Sequence, residues 1–447
     1  MKPQILSTIF DHPGLNKQLV IAISEFKNEP AWMQQLRLQA YTAFTKLSNP
    51  KWGPNLSFIN FNDYYYFIKP LKATVQKWND LPTKIRDTFE KLKIPRIEAE
   101  QLSGINNQYD SSPVYHALMK ELADQHVLFC SMDEAVSKHP EIVKKYFGKL
   151  VPFTDNKYAA LNSAVWSGGS FVYVPKNVIL TKPLQSYFRI NSKQAGQFER
   201  TLIIIGDNSE VHYMEGCTAP IYDKNNLHAA VVEVFVGKNA KFRYSTIQNW
   251  SDNVLNLVTK RAWVDTNGYM EWIDGNIGSK LNMKYPTTIL AGDHAVGRCI
   301  SIATANTGVI QDAGAKMIHL GKNTRSQILS KSIALKGGNA SYRGLVKITK
   351  NAQHSHSDIV CDSIILDQKS KSDAIPTELI ENNTSFIKHE ARISDLDKET
   401  LFYLNAHGVN DQQARQLMVI GFMEPFLLEL PLEYAVELNR LIKAYLV

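Results

Sequence analysis

The sequence predicts a mainly β protein: a β-solenoid core with helical regions on either side. Three observations carry this. Five segments can be laid over one another, IIIGDNSEVHY, VFVGKNAKFRY, WVDTNGYMEW, IHLGKNTRSQI and IALKGGNASYR, each a strand, a tight turn and a strand. Their turn glycines are Gly206, Gly237, Gly268, Gly321 and Gly338, and the first two intervals are both 31 residues. Helical periodicity is nearly absent from about residue 165 to 390. A recurring unit that cannot bury its own apolar face must stack on its neighbours, which is the logic of a solenoid. A β-sandwich also predicts hairpins and is the structural rival, but one sandwich needs only about 100 residues.

The chain divides into a mostly helical region at 1–150, the β core at 151–393 and a helical domain at 394–447. In the first region, Pro30 opens a helix with Trp32, Leu36, Ala40, Phe44 and Leu47 at helical spacing. Pro82 opens another, carrying Ile85, Phe89 and Leu92. The segment GINNQYDSSP at 104–113 is polar and turn-rich and reads as an exposed loop. Ser131 and Glu134 fit a capping box, and Pro140 to Phe147 reads as a short helix stopped by Gly148. Within the core, AGDHAVGRCISI, with Gly292, is a degraded copy of the repeat. In the last region Asn410 caps a helix bearing Ala414, Leu417 and Met418, ended by Gly421. Pro431 opens a final helix with Tyr434, Leu438, Leu441 and Tyr445 in a stripe.

Composition narrows the function classes. With 447 residues, 44% apolar, 21% charged and a net charge of +7, the chain reads as a soluble globular protein. No dense basic run interleaved with aromatics points to nucleic acid. No window approaches the roughly 18 apolar residues of a membrane span, and the N-terminus lacks the continuous apolar stretch of a signal peptide. A cytoplasmic location is the expectation. The four cysteines, Cys130, Cys217, Cys299 and Cys361, form no CxxC pair, which argues against a zinc ribbon, a ferredoxin-type cluster and a disulfide framework.

Phosphate-loop and hydrolase motifs are missing: there is no GxxxxGK[ST], HExxH or GxSxG, and GKNTRS at 321–326 reads as a hairpin turn. Three clusters remain. One surrounds Cys217 in EGCTAP. The second is HSHSDIVCDS, with His354, His356, Cys361 and Asp362, where alternate residues of a strand share a face. The third is KHE at 388–390. Thiolate, imidazole and carboxylate are ligand types for iron and zinc. Each cluster alone is also explained by burial or by a polar turn.

Several stretches together resemble the SufB branch of the SufB/SufD family, the scaffolds of the SUF iron–sulfur cluster assembly system. They are AVWSGGSFVYVPKNV, QFERTLIIIGDNSEVHYMEGCTAPIY, STIQNW, TKRA, CDSIIL, HEA and ELPLEYAVEL, in a resemblance running from about KNEPAWM at 27–33 to the C-terminus. It implies a right-handed parallel β-helix between helical regions. It implies an assembly scaffold that is not itself an enzyme, working with a SufD-like subunit through the β-helices. It implies further that a SufC-type ATPase docks on the C-terminal helices and that a cysteine desulfurase with a sulfur-shuttle protein supplies sulfur. Homodimerisation before the SufD-like subunit joins is a further expectation. The cargo is a transient iron–sulfur cluster, with iron, and with reduced flavin as a candidate cofactor of the complex.

By the same resemblance, Cys217 accepts sulfur as persulfide, while Arg189, Asn191, Gln248, Trp250 and Lys260 line a route to Cys361. Cys361, His389 and Glu390 hold the nascent cluster at the interface. A persulfide acceptor reacts as thiolate, which needs a lowered pKa or cationic neighbours, and Arg189 and Lys260 are suitable cations if the solenoid brings them near Cys217. Cys130 and Cys299 fall in no shared motif. Lys388 stands before His389 where the family commonly has an acidic residue, and Val360 before Cys361 where glutamine is usual. His354 and His356 have no family assignment. Two other readings are a SufD-like partner subunit, which usually lacks EGCTAP and the cysteine of CDS, and a β-helix enzyme acting on polysaccharides, which would need clustered acidic residues or a basic abstraction residue in an aromatic groove.

Overall fold

The computed structural model describes residues 10–68, 104–109, 112–118, 120–190, 195–219, 225–430, 435, 439 and 440. The helix expected after Pro82, the stripe expected after Pro431, and Asn191 all lie outside the described residues or almost wholly so.

From Ser170 to Asp395 the chain winds into a parallel β-solenoid of about seven turns. Successive strands add in parallel to two sheets. One orders Leu184–Arg189, Glu210–Thr218, Lys241–Asn249, Tyr269–Ile277, Val296–Ala305, Arg325–Ala334, His356–Ile365 and Phe386–Asp395 side by side. The other contains Arg200–Ile205, Val231–Val236, the long Val254–Val264 strand and their successors through Asn339–Ile348. Parallel pairing with both faces covered explains the near-continuous burial of strands such as Arg200–Ile205.

The repeat glycines and asparagines divide the labour of the turns. The left-handed residue is the asparagine, with φ of 58° at Asn208, 54° at Asn239, 54° at Asn267 and 55° at Asn323. Their side chains form a ladder between turns: Asn208 donates to Asn177 at 2.9 Å, Asn239 to Asn208 at 3.0 Å and Asn267 to Asn239 at 3.1 Å. The glycine serves close approach. A Cβ on Gly237 would sit 2.8 Å from the Asp207 nitrogen, and one on Gly321 would sit 2.2 Å from the Gly292 oxygen. His294 and His354 occupy the same left-handed position, at φ 61° and 56°. His354 is therefore an exposed turn residue, and His356 stacks on Phe386 with ring centroids 5.3 Å apart.

Helices cover the outer faces. Ala31–Lys46 follows Pro30 as expected, and its buried face includes Arg37 beside Met33, Ala40 and Phe44. Arg37 makes a two-pronged bond to Glu29, at 2.6 and 2.7 Å, and donates to the carbonyls of Ala164 and Trp166, tying this helix to the Lys157–Val165 helix. Ser131 caps Met132–Lys138 by accepting from the Glu134 nitrogen at 3.2 Å, while the Glu134 side chain pairs with Lys138 at 2.7 Å. Pro140–Tyr146 is helical, with Gly148 at φ 71° just beyond it. Buried Glu233, on the solenoid, accepts from the nitrogens of Gly148, Leu150 and Val151 and locks this segment to the core.

Two expectations are corrected. GINNQYDSSP is not a loop: Gly104–Tyr109 and Ser112–Leu118 are antiparallel strands, and the first adds in parallel to Leu184–Arg189. Pairing on the sheet edge overrides a composition poor in strand formers. The helix capped by Asn410, whose side chain accepts from the Gln413 nitrogen at 2.9 Å, does not end at Gly421 but runs from Asp411 to Leu427. It is held past the glycine by Met423 and Phe426, which with Val419 before it pack on Ile247, Ile273, Ile300 and Ile302 of the outer sheet face.

Candidate functional site

Strand alternation places one face of each rung inside the solenoid, and parallel register stacks equivalent residues in columns. The first interior column is apolar: Tyr213, Tyr244, Trp272, Cys299, Ile328 and Ile359 lie in register. Two residues along the same strands is a second column: Glu215, Thr246, Asp274, Ser301, Ser330 and Cys361. A third begins at Cys217 and continues through Gln248, Asn276, Ala303, Ser332 and Ser363. Cys217 and Cys361 thus stand five rungs apart on adjacent polar columns, ~25 Å at a strand spacing of about 4.8 Å.

Cys217 is 2% exposed, packed by Phe188, Ile190, Ala195, Trp250 and Val254. Its thiol donates towards Glu215 Oε1 at 3.8 Å. Glu215 is further bound by Tyr244, whose hydroxyl donates to Oε2 at 2.5 Å, and Lys260 Nζ lies 3.8 Å from Oε1. The thiol pKa is pushed well above its ordinary value by burial, then by the charges of Glu215 and Glu199, against Lys260 and Lys284. This is the reverse of a lowered pKa. Of the two candidate cations, Lys260 is inside. Arg189 lies on the opposite face of its strand from buried Phe188 and donates to Thr218 Oγ1 at 3.1 Å.

The rest of the expected route lies near Cys217. Gln248, its register partner, accepts from Asn256 at 2.7 Å. Asn256 also bonds Asn282 at 2.6 Å, and Asn282 bonds Gln311 at 2.8 Å, which extends the polar interior onto the second sheet. Trp250 packs on His228 with centroids 4.8 Å apart. Burial opposes a charge on His228, but Glu199, at 2.7 Å, outweighs it and raises the imidazole pKa. Lys260 lies over the Tyr244 ring at 4.4 Å and 3.7 Å from Asp274, which is also 3.3 Å from Lys284. Burial brings the Lys284 pKa down to about 8.

Lys260 Nζ, Lys284 Nζ, Asp274 Oδ1, Asn276 Oδ1 and Trp250 Nε1 are buried without a hydrogen-bond partner in the structure. Ion pairs at 3.3–3.8 Å, Lys260 with Glu215 and Asp274 and Lys284 with Asp274, offset part of the cost of burying the charged groups among them. Sequence reasoning missed Glu215, Asp274 and Lys284; the only signal was a charge where alternation called for an apolar residue.

Cys361 is 3% exposed and faces inward, its thiol pushed up to about 12 by burial, with the Tyr342 phenol opposing. His389, on the last strand, pairs with Ile359 one rung away and shares its inward side. Its Nδ1 lies 2.7 Å from Glu378, and its Nε2 is buried with no hydrogen-bond partner. Cys361 and His389 are separated by one rung and two residues, ~8 Å between backbones. Glu390 takes the other face of the strand, 51% exposed and 3.3 Å from Arg392. Among the described residues no three His, Cys, Asp or Glu side chains converge as a metal site. The carboxylate beside His389 is Glu378, from the other sheet, which adjacency in sequence could not reveal.

Two family models match the chain. The SUF system FeS cluster assembly, SufBD core domain, covers residues 188–422, and the SufBD protein N-terminal region covers 22–186. An iron–sulfur cluster assembly SufBD family protein of Staphylococcus aureus (strain USA300) is 52% identical over 430 residues, 96% of this chain and 92% of its own length. A SufBD family protein of Staphylococcus haemolyticus (strain JCSC1435) matches at the same identity and coverage. The chain belongs to the SufBD family of iron–sulfur cluster assembly proteins.

Proposed function

We propose that this SufBD family member is the thiol-bearing scaffold subunit of its assembly system. In this reading Cys217 receives sulfur as persulfide, and Cys361 with His389 holds the nascent cluster, which is cargo and not a resident cofactor. One observation supports it above the rest: the polar column that leads from Glu215, beside Cys217, through Thr246, Asp274, Ser301 and Ser330 to Cys361. Ser301 and Ser330 are hydrogen-bonded at 3.1 Å inside that column. A stack of hydroxyls and paired charges suits a polar sulfur species, whereas the apolar column beside it does not.

The end of the solenoid fits a cluster completed by a second chain. Lys371–Ile380 and Phe386–Asp395 are the last strands, and Ile375, Leu379, Ile380, Phe386 and Ile393 are exposed there. Cys361 and His389 lie at or next to this edge, with too few ligands to close a site alone. A SufD-like subunit is the proposed partner. The C-terminal helices carry exposed Phe402, Tyr403, Leu417 and Leu428, apolar surface suited to a SufC-type ATPase. A cysteine desulfurase with its shuttle is the proposed sulfur source.

The second reading, a SufD-like subunit, is favoured by the burial of both thiols, which raises the pKa of each, and by the finding that among the described residues no three His, Cys, Asp or Glu side chains converge. Anaerobic reconstitution with iron and sulfide decides between them. The scaffold reading expects cluster absorbance that disappears in Cys361→Ser. Absorbance of equal strength in that variant, or none in the wild type with its partner subunit present, supports the second reading.

A further inference from the structure

The resting state of Cys217 conflicts with its proposed reaction. A thiol is a poor nucleophile and a thiolate a good one. Yet this sulfur is buried beside two carboxylates, Glu215 and Glu199, and burial with those charges opposes its ionisation. Lys260 and Lys284 act the other way without prevailing. The proton must therefore leave at the moment of reaction, to an acceptor already in place.

We infer that Glu215 is the general base that removes the Cys217 proton during sulfur loading. This rests on Cys217 being the sulfur acceptor and adds the group that activates it. Glu215 and Cys217 lie two residues apart on one strand and share its inward face. The thiol points at Oε1 from 3.8 Å, within reach of a sulfur hydrogen bond. The two carboxylate oxygens have separate tasks. Tyr244 donates to Oε2 and fixes the group. Oε1 is left to the thiol and to Lys260, whose ammonium at 3.8 Å supplies a counter-charge. Both contacts hold the carboxylate in place with Oε1 turned to the thiol.

The step balances without an added oxidant or reductant. The proton passes from Cys217 Sγ to Glu215 Oε1 as the sulfur lone pair attacks the outer sulfur of a donor persulfide. The donor S–S bond breaks, a new S–S bond forms on Cys217, and the donor leaves as a thiolate that takes up a proton. The transferred sulfur keeps its oxidation state.

The test is loading of Cys217 in the full chain from cysteine persulfide, followed by peptide mass spectrometry between about pH 6 and 9, with iodoacetamide alkylation of Cys217 in parallel. Glu215→Gln separates two roles by sign. If Glu215 were only a neighbouring negative charge, its removal would make the thiol more acidic and loading faster. As a base, its removal slows loading about tenfold or more near neutral pH, and the variant regains rate as the pH rises. Glu215→Asp, which withdraws the carboxylate, is expected to slow loading and carries the test if the glutamine variant does not fold. Loading at or above the wild-type rate in the folded variants overturns the inference. A wild type that takes up no sulfur at Cys217 overturns the acceptor reading instead. Alkylation then still judges the base: slowing in Glu215→Gln supports it, and an unchanged or faster rate rejects it.

Discussion

Two columns run side by side through the same strands and have opposite physics. Tyr213, Tyr244, Trp272, Cys299, Ile328 and Ile359 fill the solenoid as an apolar stack, while Glu215, Thr246, Asp274, Ser301, Ser330 and Cys361, two residues further along, form a polar one. Both are buried to a similar degree, so exposure does not separate them. The first is what a solenoid needs to stand. The second puts Glu215 and Asp274 in the interior, facing Lys260 and Lys284 of the other sheet, where a buried charge is destabilising unless paired. A fold that tolerates such a row next to a dry core has a use for it, and a path between two thiols is that use in the present account.

The largest expected effect breaks the apolar side. Trp272→Ala removes a fully buried indole that donates to Thr288 at 3.0 Å, and should cost about 3–5 kcal/mol in denaturant unfolding. Asp274→Ala comes next. It leaves Lys284 without its 3.3 Å partner and Lys260 with only Glu215, and should cost about 3 kcal/mol or more. A loss below 1 kcal/mol, roughly the range of an exposed pair, would mean the row is not truly buried.

The pH dependence sharpens the same contrast. The Lys284 pKa is lowered from 10.5 to about 8 in the folded state, so between those values the unfolded chain binds more protons. Stability contributed by Lys284 is therefore fully present above about 10.5 and is lost as the pH falls towards about 8. Wild type compared with Lys284→Met should gain stability as the pH rises through that window. A parallel pair of pH curves would contradict it. The smallest stability effect is expected from Ser301→Ala combined with Ser330→Ala. Both ends of a 3.1 Å bond go together, so unfolding should shift by less than about 1 kcal/mol. Sulfur reaching Cys361 should nevertheless fall several-fold in mass spectrometry.

The apolar column was legible in the sequence and the polar one was not. Strand–turn–strand units with recurring glycines announced the solenoid, because close stacking leaves no room for a Cβ at Gly237 or Gly321. The asparagines two positions later, Asn239 and Asn323, were visible, but their role as a left-handed ladder required φ angles. The polar column depends on register between strands up to 146 positions apart, from Glu215 to Cys361, and register is a three-dimensional quantity. The family resemblance marked Cys217, Gln248, Trp250 and Lys260 around the first thiol. It could not show that Arg189 turns to the outer side, that His389 and Glu390 face opposite ways, or that Glu378 is the carboxylate at His389. Alternation along a strand decides the second of these, and the meeting of two sheets decides the third.

The most direct test follows isotopically labelled sulfur from a cysteine desulfurase to peptides containing Cys217 and Cys361 in wild type and both serine variants. The account predicts label on both thiols in the wild type, on Cys217 alone in Cys361→Ser, and on neither in Cys217→Ser. Label on Cys361 in the Cys217→Ser protein would contradict it, because sulfur would then reach the end of the solenoid without entering at Cys217.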